Sequence, residues 1–156
     1  MIIVVLLMGT MLIARCVGWL GVARLSSWTF CGRLALTIMF LFTGGAHFTE
    51  FKHNMAAIIP DPLPKGMWVI YLTGVLEIAG AMGLMIPKFQ RLAAICLILL
   101  LIAMFPANVN AALNDIPIAG QPPTPLLPRT LMQLLFIGML WWTSIRKTEN
   151  ATTRAQ

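Results

Sequence analysis

The chain has 156 residues, of which 59% are hydrophobic and only 10% charged, with 11 Lys and Arg against 5 Asp and Glu and a formal net charge of +6. A soluble domain needs about a quarter of its residues charged to solvate its surface, so these figures exclude an ordinary water-soluble protein, and the apolar content excludes disorder. The basic residues are scattered singly, without interleaved aromatics; they read as topology signals in a protein whose partner is membrane lipid and not nucleic acid.

In chain order, the first apolar stretch, residues 1–22, carries one charge, Arg15, whose stem is long enough to reach an interface. No basic segment leads into it, and Arg15 precedes Cys16 where a lipoprotein cleavage site needs a small residue, so a retained first helix is expected. Leu34 to Thr49 is a charge-free run of 16 residues. At 1.5 Å per residue that covers ~24 Å of a ~30 Å hydrocarbon core, so the second span must borrow upstream residues and is predicted over about 28–49. The third is predicted over 66–87, interrupted only by Glu77, the fourth over 91–112, and the fifth over 129–145. No segment alternates strictly with a period of two, which disfavours a β-barrel. The fold expected is therefore all-α: a single polytopic transmembrane helical bundle of five spans.

Orientation follows from charge. With the N-terminus outside, the inner side holds Arg15, Arg24, Arg33, Lys88, Arg91, Arg146, Lys147 and Arg154, against Lys52, Lys65 and Arg129 outside. That positive-inside bias places the C-terminus within. Trp68 near one end of its span, and Trp19, Trp28, Trp141 and Trp142 near the other, suit interfacial anchoring as well as they suit helix packing.

Both long connections then lie outside and are rich in proline: one carries Pro60, Pro62 and Pro64, the other Pro117, Pro122, Pro123, Pro125 and Pro128. Proline removes a donor and restricts the residue before it, so long helices are not expected there. Such stiff segments either link the spans or fold over the mouth of the bundle as a lid.

Glu77 is the most informative residue. It sits ~16 Å into its span, where an ionised carboxylate is expensive and faces a partner or a wet cavity. Gly74, Gly80 and Ala81 lie on the same stretch and permit close helix approach. Uncharged polar residues fall at similar depth on other spans: His47, Asn108, Asn110 and Gln133. In lipid these must satisfy one another, so a polar network or ligand site of His47, Glu77, Asn108, Asn110 and Gln133 is expected, whether it serves as interhelical glue or as function.

Other chemistry is disfavoured. His47, Glu50 and His53 are spaced by three, which sweeps around a helix instead of stacking on one face, so no metal site is expected. Cys16, Cys31 and Cys96 form no C-x-x-C pair and fall toward the reducing side, which argues against thiol exchange. No phosphate-binding loop, zinc-protease helix or nucleophile elbow occurs, and the 11 methionines read as adaptable packing.

Several segments together carry a resemblance. Arg33-Leu-Ala-Leu with Phe42-Thr-Gly-Gly-Ala-His47-Phe48, Ile59-Pro-Asp-Pro-Leu-Pro64, Tyr71-Leu-Thr-Gly-Val-Leu-Glu77-Ile with Gly80 and Gly83, Phe105-Pro-Ala-Asn108-Val, and Pro128-Arg-Thr-Leu-Met-Gln133 resemble, in order and spacing, the DoxX-like family of small bacterial membrane proteins. The resemblance covers about residues 33–142. It implies a four-helix core, here with an added N-terminal helix, in the bacterial inner membrane. Some relatives are subunits of, or associate with, respiratory-type oxidoreductases, including a thiosulfate:quinone oxidoreductase. The expectation is thus a non-catalytic subunit or accessory protein of a membrane oxidoreductase system, with no cofactor of its own, no catalytic residue, an oxidoreductase partner, and a quinone or lipid as bound ligand. Two alternatives stay open: a small proton-linked transporter or channel component using Glu77, and a membrane enzyme acting on an apolar substrate with His47 and Glu77 as acid and base.

Overall fold

A computed structural model describes residues 2–61, 63–118 and 120–146. The first helix, α1, spans Ile2–Trp19. Gly21, at φ 106°, turns the chain in a left-handed conformation closed to most side chains, and a 3₁₀ turn over Ala23–Ser26 leads through extended Ser27 into α2, Trp28–Ala46. This compact reversal lays α1 against α2.

The next segment, where no long helix is expected, holds a short one, α3, over Phe51–Ala57. It ends before Pro60, in accord with the bias of prolines against a preceding helix. After the proline loop, α4 runs Met67–Met85 and stops where Ile86, ahead of Pro87, is extended at φ −95° and ψ 113°. The longest helix, α5, covers Gln90–Leu113 and continues through Pro106. Pro106 offers no N–H to the carbonyl of Ile102, one turn back; the neighbouring carbonyl of Leu101 instead takes a side-chain N–H from Gln133 at 3.2 Å. The last helix, α6, spans Leu126–Leu140 and widens into a π turn over Trp141–Ile145. There Thr143 and Ser144 are buried, Thr143 donates to Met139 O at 2.7 Å, and Gln90 at the start of α5 donates to Ser144 O.

Helix α2 is the centre of the bundle, flanked by α1, α4 and α6, while α5 closes the ring between α4 and α6. One core runs through the five longer helices, α1, α2, α4, α5 and α6, with Leu7, Leu36, Met39, Phe40, Leu84, Leu97 and Leu140 fully buried. Small residues at the crossings, among them Gly32, Ala35, Gly44, Gly80, Ala81 and Ala94, let the backbones approach, which is how helices adhere where lipid removes the hydrophobic drive.

The outer surface is as apolar as the core. On α5 the residues Leu92, Ile95, Leu99 and Ile102, spaced three and four apart, face outward. Four helices, α1, α2, α4 and α5, are long and apolar enough to cross a membrane. The fifth predicted span, 129–145, falls on α6 and its π turn; α6 alone has 15 residues, ~22 Å, which is short of a hydrocarbon core. Among the described residues there is no strand, only one isolated bridge between Ile118 and Gln121 that pins the second long loop.

Candidate functional site

The site begins where α2 meets α4. Gly44 on α2 faces the carbonyl of Gly74 on α4, and a Cβ built on Gly44 would stand 3.1 Å from the Cβ of Glu77. At this crossing His47, which caps the C-terminus of α2, turns its ring onto α4. His47 Nδ1 lies 2.9 Å from Ile70 O. A carbonyl only accepts, so Nδ1 carries the hydrogen and donates it. Thr73 Oγ1, 3.1 Å from Nδ1, spends its own hydrogen on the carbonyls of Val69 and Ile70 and flanks the ring as a lone-pair neighbour.

That assignment leaves Nε2 facing Glu77 Oε1 at 3.5 Å. His47 is 5% and Glu77 4% exposed, so no bulk water mediates between them. With its hydrogen on Nδ1, the imidazole presents the Nε2 lone pair to the carboxyl across this contact. The other oxygen, Glu77 Oε2, accepts a 2.6 Å hydrogen bond from Thr43. Thr43, Glu77, His47 and Ile70 O thus form one continuous chain of hydrogen-bonding groups between two helices.

The expected network is met in part. His47 and Glu77 come together. Asn108 on α5 and Gln133 on α6 line the same cavity but bond elsewhere: Asn108 Oδ1 accepts from Arg129 Nη1 at 2.8 Å, and Gln133 is held by Leu101 O. Asn110 stands apart from the cavity; its side chain donates to Ile58 O at 3.0 Å and accepts from Asn114, so it ties α5 to the end of α3. The partner sequence reasoning passed over is Thr73, one turn before Glu77 on the same face, where helical spacing alone could have found it. Arg129, read only as a topology charge, is the other. Its Nε donates to Thr124 O at 2.8 Å, which fixes the guanidinium against the cavity wall.

The cavity itself measures about 560 Å³, within the range of roughly 300–1,000 Å³ common for small-molecule sites. Its walls are mostly apolar, with Leu101, Met104, Met132 and Phe136 among them, and its polar groups are few. Ile58, Ile59, Leu63 and Pro64 of the first long loop and Ile118 and Thr124 of the second also line it, so both proline-rich connections do fold over the mouth. Beside it, a shallow groove between α4 and α5 is lined by Leu76, Gly80, Gly83, Leu92 and Cys96, and shares Leu100 and Ala103 with the cavity.

The remaining sequence candidates separate in space. His53 pairs on the surface with Glu50, Nε2 to Oε2 3.7 Å, whereas His47 is buried against α4; the three do not converge. No cluster of three or more metal-ligating side chains occurs among the described residues. Cys31 is buried and directs its Sγ to Leu25 O, while Cys16 and Cys96 lie exposed on α1 and α5. In the first loop Lys65 donates to Asp61, and this bond holds the exposed carboxyl below the usual carboxylate range.

Such a chain, an all-helical bundle with four membrane-length apolar helices around a loop-capped cavity, has the architecture of a small integral membrane protein. Residues 36–144 match the model of a family described as a domain of unknown function, DUF8561, and the chain belongs to that family. The matched region runs from α2 through α6 and so contains His47, Glu77, Asn108, Asn110, Arg129 and Gln133. No curated protein and no solved structure matches the chain.

Proposed function

We propose that the protein is a non-catalytic, DoxX-like subunit or accessory protein of an oxidoreductase system in the bacterial inner membrane, holding a lipid-like molecule such as a quinone beneath its outer loops. The observation that carries this reading is the cavity: its walls are apolar, its polar groups sit at a few fixed positions, and both long loops cap it. A lipid-like ring and tail suit that lining better than a water-soluble substrate does. On this reading α6 and its π turn together supply a fifth span, the N-terminus lies outside and the C-terminus inside. Arg15, Arg24, Arg33, Lys88, Arg91 and Arg146 all fall at the inner end of that arrangement; Lys147 and Arg154 lie outside the described residues. Gentle purification followed by mass spectrometry of the protein and lipid fractions tests it. A stoichiometric isoprenoid quinone or an oxidoreductase polypeptide is expected, and recovery of bulk phospholipid alone would count against the proposal.

A second reading is favoured by one geometry. The His47 and Glu77 pair places two titratable groups in contact in a buried position next to the cavity, as a proton-linked transporter requires. Ligand-driven acidification in proteoliposomes that Glu77→Gln abolishes would select this reading over the first.

A further inference from the structure

We propose that the cavity takes a single-chain amphiphile with an anionic head, and that Arg129 and Asn108 bind its carboxylate. This deepens the pocket reading above and rests on it. The argument begins with the charges. The described residues hold four carboxylates, and among those residues none pairs with Arg129: Glu50 is set against His53, Asp61 against Lys65, Glu77 against His47 and Thr43, and Asp115 forms no ion pair with a described residue. Arg129, half-buried, nonetheless lines a mostly apolar cavity, where a carboxylate beside it would gain a charge partner.

The partners that Arg129 does have are neutral acceptors which position it without cancelling its charge. Thr124 O takes the Nε hydrogen and Asn108 Oδ1 takes one from Nη1. Accepting through Oδ1 turns the Asn108 amide so that its two Nδ2 hydrogens point away from the Arg129 Nη1 that it binds. At its α6 end the wall therefore offers donors, the remaining guanidinium hydrogens and an amide beside them, while the Glu77 carboxyl lines the cavity on the α4 side. Two adjacent donors of this kind fit the two coplanar oxygens of a carboxylate. A neutral head would leave the positive charge uncompensated. Gln133 on the same helix gives an amide hydrogen to Leu101 O, and Met104, Met132 and Phe136 add hydrocarbon to the lining. That combination of surfaces, donors at one end and hydrocarbon in the walls, is complementary to a fatty-acid-like molecule, and about 560 Å³ is room enough for one.

The test uses the full chain in nanodiscs of uncharged lipid, with palmitate, hexadecanol and a short-tailed quinone as probes, read by equilibrium binding. Palmitate is expected to bind at least tenfold more tightly than hexadecanol. Arg129→Gln should remove that preference while leaving hexadecanol unchanged. Asn108→Asp, which places a carboxylate against Arg129, should exclude palmitate and spare the neutral probes, so the result does not depend on one variant folding. Equal binding of palmitate and hexadecanol, or a preference that survives both substitutions, overturns the head-group assignment. Quinone binding that Met104→Trp blocks, with no palmitate preference, overturns this inference alone and leaves the pocket reading intact; failure of all three probes to bind overturns both. A single-chain phosphate monoester that outcompetes palmitate through Arg129 would also overturn the carboxylate assignment.

Discussion

A Cβ on Gly74 would stand 2.6 Å from the Cβ of His47, and 3.0 Å from the ring of Phe48. The absence of a side chain at Gly74 is thus what allows the end of α2 to reach α4 and deliver the imidazole to Glu77. Gly74→Ala should push the helices apart and lengthen the contact, with a cost of about 1–3 kcal/mol from overpacking. Denaturant titration in detergent would measure the loss, and a variant as stable as the parent would show that the crossing is soft.

Glu77→Ala removes the acceptor for Thr43 and the partner of His47, leaving buried groups unpaired at a cost of about 1–3 kcal/mol. Glu77→Gln keeps the shape and both hydrogen-bonding contacts, and should stay within about 1 kcal/mol of the parent. Thermal unfolding of the two variants side by side distinguishes them; equal destabilisation would mean that the carboxyl group itself, and not its shape or hydrogen-bonding capacity, holds the helices together.

Replacing Cys16, Cys31 and Cys96 together by serine should leave the fold and any cavity binding in place. Two of the thiols are exposed on helix surfaces, and the third, Cys31, only donates to Leu25 O, a bond that a hydroxyl reproduces. Helical content by circular dichroism and retention time on size exclusion report the outcome. Loss of ligand binding in a well-folded triple variant would assign a role to a thiol.

A fluorescent reporter fused to the C-terminus should be active in the cytoplasm, and a phosphatase at the same place inactive, if α6 and its π turn cross with the rest. The opposite pattern would mean that α6 lies within one leaflet or that the bundle is inverted.

Much of the helical layout was legible from composition and charge-free runs, because lipid-facing helices must be apolar all round and their ends must carry the polar residues. Glu77 was legible for the same reason: a carboxyl deep in such a run has to find a partner. The short helix α3 was not, since seven residues with mixed polarity, Phe51–Ala57, carry no period that distinguishes a turn of helix from loop. Nor could depth alone settle the network. Asn108, Asn110 and Gln133 sit at similar heights, yet rotation about each helix axis sends Asn110 to Ile58 O and Gln133 to the backbone beside Pro106. Arg129 hid behind its neighbours in the count of charges, because what makes it informative is the neutral chemistry of Thr124 O and Asn108, which only three dimensions bring together.

Leu100 and Ala103 belong both to the capped cavity and to the open groove between α4 and α5. With both loops folded across the top, the flank of the bundle is the side on which the interior comes nearest to hydrocarbon. A molecule arriving by that flank is already dissolved in the bilayer, so its occupancy follows its mole fraction among the lipids and not its concentration in water. Extraction that carries the native lipid along keeps that fraction, which is what makes a purification gentle enough to report the occupant of the cavity.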